Sequence, residues 1–296
     1  MNIATQLAYS VTTALAGAQA LHAINHRVSL VVGLVVVSVI VLVIAAYGYF
    51  IIHYVERYAW IVMFSVYCLM YGLLNQGDPD VNRLTDEMDV GRAKAADLLS
   101  FVGITFSVSS GWCTIAADYN TRLDPGLVPA WRTFAMTWLG TYLPICFTMT
   151  LSACPQILTK HEYIDALQDD GIGGSAGVIL SPLAGFSKFI LVILAFSTIA
   201  ANVPNVSSPE SGTVAHTESI TDRPCPQTYS GSLAAQALHP ILMKVPRVFF
   251  VLLFTVAYLV AAIAGRQSFG DIMADFASIL AYYTAIFVSA SLLSSS

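Results

Sequence analysis

Gly111-Trp112-Cys113-Thr114-Ile115-Ala116-Ala117-Asp118-Tyr119 decides how this chain is read. An apolar run from Leu98 to Val108, long enough to enter a membrane, stops at Ser109-Ser110-Gly111-Trp112, and an unpaired carboxylate follows at Asp118. Hydrocarbon offers no hydrogen bonds. A glycine-flexed, acid-bearing segment at membrane depth is therefore tolerated only where it faces protein or a water-filled cavity. Solute sites inside carriers are built from interrupted helices of this kind. The stretch predicts an all-α integral membrane protein, a multi-span helical bundle with a polar interior.

Composition agrees. Hydrophobic residues make up 56% of the chain, charged residues only 10%, and the mean hydropathy is +0.71. A soluble domain carries about 25% charged residues, so most of this surface meets lipid rather than water. The net charge of -5 excludes a nucleic-acid partner, which needs a basic patch. The cysteines (Cys68, Cys113, Cys146, Cys154, Cys225) show no CxxC spacing and four lie in apolar runs, so they read as buried structural thiols. The first 25 residues lack a basic leader and are interrupted by Asn, Gln, Ser and Thr, which is not a signal peptide.

A membrane crossing needs about 20 apolar residues. Eight segments approach that length: 3–24, 29–52, 58–76, 97–119, 133–155, 177–204, 246–264 and 272–293. Lysines and arginines do not decide the orientation. The acidic loops, Asp78 to Asp89 and Glu162 to Asp170, fall on one side, taken here as extracytoplasmic. Small and polar residues crowd the first span (Thr5, Ser10, Thr13, Gly17, Gln19), which suits a tightly packed internal helix. The second is almost pure Val, Ile and Leu and reads as lipid-facing. Trp60, Tyr67 and Tyr71 in the third read as belt and packing aromatics.

The sixth span closes on Ser197-Thr198-Ile199-Ala200-Ala201-Asn202-Val203-Pro204-Asn205. Pro204 frees backbone carbonyls, which beside two hydroxyls suit a small cation, while Asn202 can bond a polar solute. Ordinary Asn-Pro punctuation at a helix end is the alternative. Residues 206–227 have no periodicity and no apolar face and read as an inserted polar loop. A second reading is a translated, unspliced intron. Val206-Ser207 can be encoded by GTAAGT, Thr221-Asp222 by ACTGAC and Gln227 by CAG, which match fungal splice and branch signals.

With these residues in view, the chain resembles the fungal purine–cytosine permeases of the nucleobase–cation symporter-1 group. The resemblance rests on Gly17-Ala18-Gln19-Ala20-Leu21-His22-Ala23-Ile24-Asn25, on His53-Tyr54-Val55-Glu56-Arg57-Tyr58-Ala59-Trp60, on Gly111-Trp112 through Asp118-Tyr119, and on Leu180-Ser181-Pro182 through Asn205. Joining Asn205 to Thr228 reproduces the way the family continues. The resemblance implies a leucine-transporter-like inverted-repeat fold of twelve spans. The eight spans here correspond to the third to tenth, so residues 1–296 are expected to form a single partial transporter domain truncated at both ends.

The resemblance also implies roles. Trp112 matches the residue that stacks on a nucleobase ring, and Tyr9 an aromatic on the opposite face. Thr13 stands where many members place Asn, and Asn202 matches an amide at the base edge; Ala201 replaces a second family Asn. Ser197 and Thr198 fall at cation-coordinating positions of related carriers, and Asp118 is a candidate to bear a proton. The implied activity is import of cytosine or purines by cation symport with alternating access in the plasma membrane. The proton is the expected coupling ion and sodium the alternative; no cofactor or metal is implied. A non-transporting product of a mis-spliced, misannotated or decaying gene is the competing reading. A membrane enzyme finds no support: there is no HExxH, and His22 and His26, four residues apart, read as solvated.

Overall fold

The computed structural model describes residues 2–47, 49–74, 92–110, 128–154, 162–206, 247–267 and 269–295. They form nine α-helices: α1 (Asn2–Ile24), α2 (Leu30–Tyr47), α3 (Tyr49–Leu74), α4 (Arg92–Ser110), α5 (Ala130–Ala153), α6 (Glu162–Leu180), α7 (Gly185–Val206), α8 (Arg247–Gly265) and α9 (Phe269–Ser295). A short 3-10 turn, Ser181–Leu183, joins α6 to α7, with Pro182 in it. By length and hydropathy, α5 and the 185–203 part of α7 can each cross a membrane unaided, and α2, α3, α4 and α8 carry shorter apolar stretches.

α1 is the axis. It packs most extensively on α7, then on α6, α2 and α8, because Ala14, Ala18 and Ala20 let neighbouring backbones approach closely. Two cores result. The first joins α1, α2, α7 and α8 through Leu15, Leu34, Val37, Val203, Phe254 and Tyr258. The second joins α3, α5, α6 and α7 through Val66, Met70, Leu151, Leu180, Ile190 and Leu191. α7 enters both, while α9 pairs chiefly with α4. Large apolar side chains on α4 and α5, among them Leu99, Trp131 and Phe134, point outward, as a lipid-facing surface does.

Three expectations need revision. Residues 162–170, read as an acidic loop, are the first half of α6. Glu162 and Asp165 favour the first turn of a helix, and Tyr163 buries its ring in the second core. α2 is not simply lipid-facing: Leu34, Val37, Ser38 and Val41 are buried, while Val32, Val35, Val36, Val39 and Val43 face out. Sequence alone could not split a helix apolar on all sides. Cys68 and Cys146 are free thiols but exposed, since lipid-facing helices place apolar side chains outside. Helix α7 also runs two residues past Pro204, to a buried Val206. Residues 207–227 of the inserted loop lie outside the described residues.

Candidate functional site

The centre of the site is a break in α6. Gly171 has φ 69 and ψ -156, a backbone region open essentially to glycine alone, and it separates the acidic half of the helix from a small-residue half. Gln19 of α1 fills the notch, its Oε1 accepting the Ile172 N–H at 3.1 Å. A Cβ at position 173 would run into the Gln19 backbone, so the two helices meet with no side chain between them. Breaks of this kind in membrane helices occur where backbone lines a cavity or is held by a neighbour.

A cavity of about 350 Å³ opens beside the break, walled by α1, α3, α5, α6 and α7. That volume lies at the lower end of the roughly 300–1,000 Å³ of small-molecule sites. Ile172 and Gly173, immediately past the break, line it, as do Ala16 and Ala20. Its wall is mostly apolar, and the polar groups are hydroxyls: Ser175, Ser197, Thr198, Thr148, Ser152 and the rings of Tyr67 and Tyr163. Ser197 Oγ donates to Leu194 O at 2.7 Å and Thr198 Oγ1 to Ala195 O at 2.8 Å. Each proton is thus used within α7, leaving oxygen lone pairs as acceptors toward a donor or a cation.

The sequence-derived residues divide between this cavity and the first core. Ser197 and Thr198 line the cavity, and Thr198 abuts α1 at Gly17. Tyr9, half-buried, meets the ring of Phe276 in α9 edge-on, with centroids 6.1 Å apart. Thr13 Oγ1 donates to Tyr9 O at 2.9 Å. Asn202 is fully buried; its Nδ2 donates to Ser10 O at 3.5 Å, and its Oδ1 has no partner. Tyr9, Thr13 and Asn202 therefore gather where α1 meets α7 and α9, and they do not line the cavity. Trp112 and Asp118 lie outside the described residues.

Two further sets of residues escaped the sequence reading. Tyr67 and Tyr163 belong to the cavity; Tyr67 passed for packing, and Tyr163 stood in a stretch taken for a loop. The run Gly173-Gly174-Ser175-Ala176-Gly177 was the available signal, because consecutive small residues in an apolar chain announce a close helix contact. His22 and His26 are not simply solvated. His22 Nε2 lies 3.4 Å from Asp170 Oδ1, and His26 Nδ1 lies 3.8 Å from Asp170 Oδ2. That contact sets the end of α1 and the acidic half of α6 on the same face of the bundle.

No family model and no solved structure matches the chain. Curated relatives do. A purine-cytosine permease of Emericella nidulans is 30% identical over 97% of this chain and 52% of its own length. A purine-cytosine permease of Saccharomyces cerevisiae is 28% identical over 98% of this chain and 51% of its own. A vitamin B6 transporter of the same yeast is 26% identical over 95% and 45%. The chain spans about half the length of the curated relatives it matches. These relatives are permeases and a transporter, not enzymes, and with its apolar outer surface the chain is an integral membrane protein. Along nearly its whole length it is a homologue of the fungal purine–cytosine permeases.

Proposed function

We propose that this chain supplies the central helices of a secondary transporter that carries a nucleobase or a related planar nitrogen heterocycle across the plasma membrane. The carrying observation is the cavity of about 350 Å³ beside the break in α6, found in a chain whose relatives are named for purines, cytosine and vitamin B6. Those solutes share a flat heteroaromatic ring with polar edges. Such a ring calls for aromatic faces and a few directed hydrogen bonds. In this reading Tyr9, Thr13 and Asn202, which gather outside the cavity where α1 meets α7 and α9, reach the solute once α1 and α7 part, with Tyr9 and Trp112 at its faces and Thr13 and Asn202 at its edge. An amide at position 202 can both donate and accept, and its unpartnered Oδ1 is available to a solute once α1 and α7 part. Ser197 and Thr198 offer hydroxyl oxygens to a coupling cation, with Asp118 as proton carrier; a proton is the ion we favour over sodium. Alternating access would come from rocking one group of helices about this site in an inverted-repeat architecture.

Uptake of labelled cytosine, adenine and pyridoxine by permease-null yeast expressing the gene tests the reading. Saturable uptake of at least one, abolished by Trp112→Ala, is the expected result; uptake of none overturns it. A second reading, a non-transporting product, rests on the aperiodic polar segment 206–227. A cDNA in which Asn205 joins Thr228 directly would identify that segment as a retained intron, and a message that keeps it as the main form removes the intron reading.

A further inference from the structure

We propose that His22, His26 and Asp170 form a binding site for one divalent transition-metal ion of the zinc type, which fastens the end of α1 to the break in α6. The ligand atoms of the three residues all lie within 4.8 Å of one another, with His–Asp separations of 3.4 and 3.8 Å. Zinc–nitrogen and zinc–oxygen bonds of about 2.0–2.2 Å place the donors of a tetrahedral site about 3.4 Å apart, so the triad needs only small shifts to close on an ion.

The proton on His22 decides between an ion pair and a metal. His22 Nδ1 lies 2.6 Å from the Val28 carbonyl oxygen. A carbonyl only accepts, so Nδ1 carries the hydrogen, and in the neutral ring Nε2 presents its lone pair toward Asp170. A proton on Nε2 makes this approach an imidazolium–carboxylate pair; without it, a metal cation held between the lone pair and the carboxylate draws the two together. His26 brings a second imidazole nitrogen to the other oxygen of the same carboxylate, and its ring stands edge-on to His22 with centroids 5.1 Å apart. One ion satisfies both nitrogens and the carboxylate together. The Nδ1–H to carbonyl bond is moreover the outer-shell contact that fixes the tautomer of metal-binding histidines.

Two imidazoles and one carboxylate suit zinc, nickel or copper rather than magnesium or calcium. The fourth position is open to water, since the His26 side chain is 70% exposed and that of Asp170 31% exposed. Binding would also act on the cavity. Asp170 directly precedes Gly171, and Ile172 and Gly173 line the cavity wall. A metal holding Asp170 against α1 therefore holds that wall in place. This site stands whether or not the transport reading does, because it needs only the three side chains.

The test is calorimetric titration of the purified, detergent-solubilised protein with ZnCl2, with MgCl2 as the contrasting ion. One zinc per chain is expected, with no displacement by magnesium, and Asp170→Asn and His26→Gln should each weaken binding at least tenfold. His26 is mostly exposed, so its variant keeps the test alive if Asp170→Asn does not fold. Absence of zinc binding, or an affinity unchanged in His26→Gln, overturns the proposal.

Discussion

The two cores handle polar groups in opposite ways. In the core of α1, α2, α7 and α8, five buried polar atoms have no partner among the described residues: Gln6 Oε1, Ser10 Oγ, Ser38 Oγ, Asn202 Oδ1 and Tyr258 OH. In the core of α3, α5, α6 and α7 there is a cavity, yet the α7 hydroxyls on its wall are already bonded within their own helix. An unmet buried polar group costs about 1–3 kcal/mol. The unmet demand therefore lies in the closed half and the room in the open half, with α7 presenting a face to each. The stranded atoms sit at the α1–α7 interface and its surroundings, whereas the α1–α6 contact at the break is met by Gln19.

The sharpest way to break that contrast is Gly173→Ala. A methyl group there collides with the Gln19 backbone, which cannot turn aside as a side chain does. Overpacking of this kind costs about 3 kcal/mol, and here it forces α1 from α6 along the cavity wall. A thermal melt in detergent should show a large loss or no folded protein. A melt like that of the unmodified chain would mean that α1 and α6 do not touch.

Gln19→Leu sharpens the same point at a smaller scale. It removes the acceptor of the Ile172 N–H at the break while keeping the apolar bulk. A stranded N–H costs about 2 kcal/mol, lowering the melting temperature by several degrees. If stability is unchanged, the break at Gly171 is held by its own backbone and not by α1.

These contacts show what could be read in the chain and what could not. Helices α1, α5, α8 and α9 stand within about three residues of the segments read from apolar length, because bilayer thickness and hydropathy act locally along the chain. Ser197 and Thr198 stood out as hydroxyls in an apolar run, and they do reach a cavity. All of α6 before residue 177 was lost, its first half because charge outweighed the spacing of Tyr163, Ala166 and Leu167. Gln19 was legible as a polar residue in an apolar span, but its partner lies 153 positions away. The pairing of His22 and His26 with Asp170 was hidden for the same reason. Composition shows that a polar group needs a partner; only the fold says which.

Asn202→Leu separates stability from function in the closed core. The change removes both the stranded Oδ1 and the long 3.5 Å bond to Ser10 O at similar volume. Replacing a poorly satisfied polar group by an apolar one of the same shape is nearly neutral, so stability should move by less than about 1 kcal/mol. If Asn202 meets a solute as proposed, uptake of labelled cytosine, adenine or pyridoxine should nonetheless fall steeply. Undiminished uptake would assign Asn202 to packing alone.

The smallest effect is expected from Tyr258→Phe. The Tyr258 ring is fully buried in α8, and its hydroxyl lies beside Ser38 and Thr255, neither of which meets it at good hydrogen-bond geometry. Thr255 spends its own proton on Val251 O at 2.8 Å, and Ser38 Oγ is itself unpartnered. Deleting the phenolic oxygen removes a stranded polar atom and leaves the apolar contacts with Phe254 and the α2 valines in place. The variant should therefore melt at the same temperature or slightly higher, a gain of about 0.5 kcal/mol. A loss of 1 kcal/mol or more would show that this hydroxyl is bonded after all, by Ser38 or by a buried water. The contrast between the stranded atoms and the bonded α7 hydroxyls of the cavity would then narrow to Asn202, Gln6 and Ser10, all on α1 or the α7 face against it.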